Sequence, residues 1–429
     1  MSKSSESSRR LFLKSVGATI PAMALDLGTC PPEAHSAPNL IAQGNGSHSA
    51  DRINFAMADA GDDAIPFRKH IIDLGASETC AVADINRDGK LEIVSGENWY
   101  EQARDASGTR WIKHKFRDLP YTNYYIDNFS DLPIDVDGDG YPDIVSCSWF
   151  SKRLAWYRNP GQESGPWREA AIQEGYSVEF AFLVDLLNTG EPRQILPEFG
   201  DPSAPLSWYE LTGSGASARW IQHEVSNQSY GHGIGAGDVN GDGRNDIITP
   251  KGWFEAPPDP RNGRWTFHPE FDLGVVGFIY VHDVNQDGVP DLVTSAAHGY
   301  GIVWYEQKKD GKGNRSWIKH MIDDSWSQSH AMTLADLNGD GKIGLVSGKR
   351  YFAHNGHDPG SKEPLGVYWY EPITVNGALQ WKRHIIEYGS RTGGGMQIPV
   401  VDLDGDGDLD VVVAGKSGLF LFENLTRSR

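Results

Sequence analysis

The chain has 429 residues, a formal net charge of −19, 49 Gly, 14 Trp and only 3 Cys. Such acidity argues against nucleic acid or an anionic membrane as partner. Low cysteine use permits an oxidising compartment without depending on one, and the spacing of Cys80 and Cys147 does not decide whether they pair.

Residues 1–30 read as an export signal: paired Arg9 and Arg10, then Phe12, Leu13 and Lys14, then an apolar Gly/Ala stretch with Ala22 and Ala24 at a cleavage-type spacing. The pattern resembles the twin-arginine (Tat) type and implies a periplasmic or extracellular destination. Leu27-Gly-Thr-Cys30 resembles a lipoprotein box except for Thr29 before the cysteine. Residues 31–65, rich in Pro, Ala, Ser and Gly, read as a disordered linker. Beyond the signal no apolar run is long enough to span a bilayer.

From Phe67 onward three patterns repeat in phase. The first is an acidic loop, D-x-N/D-x-D-G-x-x-D, followed by a β-branched run. It starts at Asp84, Asp135, Asp238, Asp283, Asp336 and Asp402, with a worn copy at Asp185. The second is an aromatic strand, as in Trp99-Tyr100-Glu101 or Trp304-Tyr305-Glu306; the third alternates near W-x-x-H-x-I, as in Trp111–Phe116. Period-two alternation with aromatic and β-branched residues predicts strands throughout and no helix. The third pattern also stands before the first loop, at Phe67–Ile72, and is missing after the last. The predicted fold is therefore all-β over residues 66–429: a seven-bladed β-propeller whose N-terminal strand closes the last blade.

In the acidic loops, oxygens at positions 1, 3, 5 and 9 converge while Gly at 6 permits the sharp turn, a hard-cation arrangement that suits Ca²⁺. The predicted ligands are Asp84, Asn86, Asp88 and Glu92; Asp135, Asp137, Asp139 and Asp143; Asp238, Asn240, Asp242 and Asp246; Asp283, Asn285, Asp287 and Asp291; and Asp402, Asp404, Asp406 and Asp410. Asp336, Asn338 and Asp340 form a weaker site because Gly344 replaces the last acid. The worn loop, with Leu187, Thr189 and Arg193 at ligand positions, is expected to be empty, Arg193 supplying the charge. EF-hand loops share the first six positions but need an acid at position 12, where Ser95, Ser146, Thr249, Thr294, Ser347 and Val413 stand here. A filled ligand cage leaves no open position for a substrate, so these ions are read as structural.

The repeat resembles the FG-GAP/VCBS type of integrin α-subunit propellers and many exported bacterial proteins. That resemblance places the acidic loops on one face and ligands at the other, around the central channel. Counting six residues back from each loop gives Glu78, Phe129, Glu179, His232, Gly277, His330 and Met396; counting thirteen forward gives Glu97, Ser148, Glu198, Lys251, Ala296, Lys349 and Gly415. Equivalent ring positions converge on the axis, and ionisable groups there favour a site. Insertions fall on the same face: Gly348–Pro359, with Arg350, His354 and His357, and the run through His298 and Tyr300 in blade five, with Tyr124 to Asp127 in blade two. The W-x-x-H histidines, by contrast, recur on the outer strand and are assigned to packing.

Two chemistries fit these groups. His232, His330, Lys349 and Arg350, with Tyr300, His298, His354, His357, Lys251 and Glu179 around them, suit proton abstraction beside a carbonyl, the cations holding the developing anion. Alternatively His232, His330 and Glu179 hold a second, catalytic divalent metal. The blade-six insertion is also similar to the propeller of the aldos-2-ulose dehydratases, though the cupin domains of those enzymes have no counterpart here. Calcium-bearing propellers of rhamnogalacturonan lyases likewise perform elimination. Both resemblances imply a carbohydrate or keto-sugar ligand and a carbon–oxygen lyase or dehydratase; a non-catalytic glycan- or protein-binding module is the alternative. Oligomeric state is not legible.

Overall fold

The computed structural model describes residues 65–427 apart from 76, 106, 107 and 164. The export signal, Cys30 and all of the linker but residue 65 lie outside the described residues.

Each acidic loop is turned in part by hydrogen bonds of its own. The first aspartate accepts the amide of position 6 and, except at Asp135, that of position 5, as Asp283 does from Asp287 (3.0 Å) and Gly288 (2.8 Å). The residue at position 6 has a positive φ in every copy, from 84° at Gly89 to 93° at Gly407, so glycine is required there. The worn copy keeps both features: Asp185 accepts Thr189 (2.9 Å) and Gly190 (2.7 Å). Its Arg193 lies 4.0 Å from Glu191 and 3.4 Å from the backbone oxygen of Asp135.

The position-9 acid then ties the loop to the blade. Asp246 accepts Val239 N–H at 3.0 Å and Ala256 N–H at 2.8 Å, and Asp143, Asp291 and Asp410 repeat that pair. Glu92 accepts Ile85 N–H at 2.8 Å. Burial and neighbouring carboxylates push these acids up, to about 7 for Asp143 and Asp246, against the pull of the amides.

After each loop the β-branched run enters a blade of four antiparallel strands, and there are seven such sheets. The innermost strands are Ala81–Ala83, Ser130–Ile134, Val178–Val184, Gly235–Gly237, Val276–His282, Ser329–Ala335 and Val400–Val401. The second strands are dry: Ile93, Val94, Ile144, Ile195, Ile247, Leu292, Leu345 and Val412 are all fully buried. At roughly 1.5–3 kcal/mol for each such side chain, burial between and within blades dominates the stability of the ring.

The outer strands are pinned by a repeated unit. Trp99, Trp208, Trp253, Trp304 and Trp369 lie directly opposite His114, His223, His268, His320 and His384, with ring centroids 4.1–4.4 Å apart. Each histidine also pairs with the glutamate two residues after its tryptophan, for example His114 with Glu101 at 2.8 Å. Blade two has lost both partners together: Ala170 faces Trp156, and Arg158 stands in place of the glutamate. Cys80 and Cys147 are both buried free thiols.

The last blade is composite. Phe67–Asp73 pairs antiparallel with Gly418–Asn424, from Phe67 opposite Asn424 to Ile71 opposite Phe420, and Leu425 N–H reaches Pro66 O at 2.8 Å. Arg68 and His70 both bind Glu423, at 3.0 and 2.5 Å. A chain beginning at residue 76 is therefore expected to melt well below one beginning at residue 65; equal melting curves would show that closure does not hold the ring. Separately, Asp185→Ala should cost about 0.5–1.5 kcal/mol in urea unfolding although its loop lacks a ligand set, because two exposed turn amides lose their acceptor to water.

Candidate metal centre at the channel mouth

Every inner strand starts at the mouth and ends at an acidic loop, so ring-equivalent residues near the strand starts are brought to the axis. Glu179 at the start of blade three is the hub. Its Oε2 lies 3.1 Å from His232 Nε2 and its Oε1 3.1 Å from His330 Nε2. His298, from the connection after blade five's second strand, adds Nε2 at 3.1 Å from His232 Nε2 and 4.0 Å from Glu179. One ligand atom from each of these four residues lies within 4.8 Å of all the others. Phe180 walls the cluster, its ring 5.5 Å from His232 and 5.8 Å from His330.

The far sides of His232 and His298 fix their tautomers, whereas His330 Nδ1 is buried without a partner. His232 Nδ1–H donates to Val276 O at 2.7 Å, and His298 Nδ1–H donates to Asp358 Oδ2 at 3.1 Å. Both Nε2 atoms therefore face each other across 3.1 Å beside a carboxylate, an arrangement that calls for a cation, either a proton on one Nε2 or a metal ion. Burial opposes charge on His232, but Glu179 outweighs it and raises the ring to about 9. Burial drives His298 down and His330 well down, toward the neutral imidazole that ligates metals. Glu198, on the second strand of blade three opposite Phe180, has a buried oxygen with no partner; burial pushes its carboxyl up to about 8.

The remaining residues expected at the mouth divide. Arg350 is 2 % exposed: it binds Glu78 at 3.1 Å, lies 3.6 Å from Glu179, and packs over Tyr125 and Phe129. Lys349 is fully buried and donates to Ser327 Oγ at 2.6 Å and Ser327 O at 3.1 Å. Neither cation is open to a substrate anion, which corrects the role expected for them. Lys349 is the last residue of its strand, Gly344–Lys349, and Arg350 lies just beyond it, so the two also part company in direction. Lys251 turns to Asp272 at the rim, 2.7 Å away, and His357 is exposed. Tyr300 OH donates to Glu363 at 2.5 Å.

Two contributors, Asp358 and Lys416, were not foreseen. Asp358 accepts His298 and Gln328 on Oδ2 and His354 Nδ1–H on Oδ1 at 2.9 Å, and these donors hold its carboxyl well below the usual range against the effect of burial. Its spacing of four residues from His354 was the available signal. Lys416 stands 3.7 Å from Glu78 and 3.2 Å over the Tyr125 ring, one residue past a counted ring position. Glu78 was counted, but its partnership with Arg350 spans 272 residues.

Over the cluster, two pieces meet across the axis. The hairpin of Tyr121–Thr122 with Tyr125–Ile126 belongs to blade two, and the insertion after Arg350 belongs to blade six. His354 N–H donates to Tyr125 OH at 2.7 Å and Asn355 Nδ2 to Asn123 Oδ1 at 3.0 Å. Tyr121, Tyr124, Tyr351 and Phe352 stay exposed on these two segments.

A closed ring of seven four-stranded sheets with ligand groups converging at one mouth defines a seven-bladed β-propeller. Residues 261–347 match the FG-GAP-like repeat family, in keeping with the repeat read from the sequence. The fold is similar to BBS1N in the crystal structure of BBS1N in complex with ARL6DN, soaked with lead, at a TM-score of 0.50 and 12% identity, covering 85% of this chain and 98% of that one. The mercury-soaked crystal of the same complex gives 0.47 and 12%, over 84% and 97%. No curated protein matches the sequence.

Because Arg350 neutralises Glu78 in the interior, Arg350→Ala is expected to destabilise the protein by about 3–5 kcal/mol. Urea unfolding measures this, and a variant as stable as the wild type would return Arg350 to the list of substrate-facing groups.

Proposed function

We propose that the protein is a calcium-braced propeller enzyme that uses a second divalent ion at the channel mouth to act on a carbohydrate, as a carbon–oxygen lyase or dehydratase working by β-elimination. The reading is carried by the opposed Nε2 atoms of His232 and His298 beside Glu179. Imidazole nitrogens with one carboxylate suit Zn²⁺ and its neighbours in the transition series. When bound, such an ion supplies Lewis acidity to a sugar carbonyl or hydroxyl oxygen. The chain's own residues do the rest. His354 spends its Nδ1–H on Asp358, which leaves Nε2 as the base for a carbon-bound proton. In the elimination that proton goes to the base, its electron pair forms the new C=C bond, and the β-oxygen leaves with a proton. The exposed rings of Tyr121, Tyr124, Tyr351 and Phe352 offer faces on which a sugar ring can stack.

Calcium in the acidic loops follows from their donor sets. Carboxylate oxygens of Asp135, Asp137 and Asp143, and of Asp402, Asp404 and Asp410, lie within 4.8 Å of one another in each trio. Oxygen-only ligands in flexible loops suit Ca²⁺. The twin-arginine pattern adds export, to a periplasmic or extracellular setting, to this proposal.

Chelation of calcium is expected to lower the melting temperature, since an ion bound only to the folded state stabilises by mass action. Asp406→Ala should reduce the calcium response far more than Thr189→Ala; identical melting with calcium and with chelator would remove calcium from the account. At the mouth, zinc content should fall in His232→Ala while the calcium response stays. Keto-sugars and polysaccharides should gain ultraviolet absorbance with the zinc-loaded wild type, and His354→Ala should slow that by about 10²–10⁴-fold. Zinc bound without turnover on any of them would favour the glycan- or protein-binding module.

A further inference from the structure

We propose that Asp358 is the positioning carboxylate of the mouth cluster, and that ion binding there orders the blade-six insertion across the channel. The inference rests on the metal reading of the mouth given above.

Asp358 joins three segments at one side chain. Its Oδ2 takes His298 Nδ1–H (3.1 Å) from blade five and Gln328 Nε2–H (3.2 Å) from the approach to blade six; its Oδ1 takes His354 Nδ1–H (2.9 Å) from the insertion itself. A carboxylate behind a ligating imidazole fixes the tautomer and the plane of the ring and raises its basicity. Here it aims His298 Nε2 at His232 and Glu179. The rings of His298 and His354 also stack, centroids 4.2 Å apart and 19° from parallel. Holding His298 by an ion on one side therefore holds Asp358, and through it His354, on the other.

The insertion has reason to depend on that tie. Phe352, His354 and Asn355 all sit in the left-handed region, at φ 54°, 45° and 53°, which non-glycine residues keep only where their surroundings enforce it. Gln328, which binds the same carboxylate, is left-handed too, at φ 65°. The other attachments described for the insertion include His354 N–H to Tyr125, Asn355 to Asn123 and Lys416 to Phe352 O. Binding that orders a segment and a segment that strengthens binding are one coupling read from two ends.

The test uses the full chain, zinc as the probe, a chromophoric chelator for affinity and limited proteolysis for order. Asp358→Asn is expected to weaken zinc about 10–100-fold, the range for loss of such an outer partner. Its melting without zinc should match the wild type. His354→Ala, which loses the Oδ1 bond and the stacking on His298 but leaves His298 its own carboxylate, should weaken zinc less than Asp358→Asn does. Zinc should slow cleavage within residues 351–361 of the wild type but not of Asp358→Asn. A wild type that takes up no zinc at the mouth overturns the metal reading and this inference with it. Zinc binding of equal strength in wild type and Asp358→Asn overturns the inference alone. Equal losses in Asp358→Asn and His354→Ala would make both residues ligands and also overturn it. Should Asp358→Asn fail to fold, proteolysis of the wild type decides: zinc that leaves cleavage of the insertion unchanged sinks the proposal.

Discussion

The pairing of Phe67–Asp73 with Gly418–Asn424 is the constraint on which everything else rests. A blade by itself offers two faces of aromatic and β-branched side chains that must be covered by neighbours, and only a closed ring covers them all without leaving a sheet edge to pair with another chain. Closure also does the work of convergence. Glu179, His232 and His330 come from three different blades and are separated by up to 151 residues, yet they meet because the ring sets their strand starts around one axis. No single blade carries a site.

Repetition made the fold legible, and departures from repetition made the mouth legible. The acidic loop, the aromatic strand and the W-x-x-H strand recur in phase, so seven blades and their closure follow from counting. Glu179, His232 and His330 stood out because a position that repeats for packing reasons repeats its residue. What counting cannot deliver is direction. Lys349 and Arg350 were grouped as a cationic pair, but the strand ends between them, and the structure sends one to Ser327 and the other to Glu78. Asp358 lay inside the insertion but carried no ring position. Its role depends on His298, 60 residues away, and on a loop path that periodicity does not encode.

The worn loop at Asp185 separates two jobs that the intact loops combine. Positions 1 and 6 make the turn through backbone amides and a positive φ, while positions 3, 5 and 9 supply the oxygens proposed to bind calcium. The turn survives where the oxygens are gone. In the same way the outer His and Glu are kept or lost together, since a histidine without its glutamate leaves a half-buried imidazole to satisfy. Blade two dispenses with both, and its Arg158 reaches instead to Asp137 and Asp139.

The contact between the blade-two hairpin and the blade-six insertion joins members of the ring that are not neighbours. Going round, two blades separate them on one side and three on the other, so Tyr125–His354 and Asn123–Asn355 form a chord rather than a link in the circumference. Slippage between adjacent blades normally spreads thinly round such a ring. A chord gathers it: small angular shifts at several interfaces add up to one change in span, felt at the hairpin tip. The width of the mouth is thereby a collective coordinate of the whole disc, set as much by packing at its rim as by the residues that line the opening.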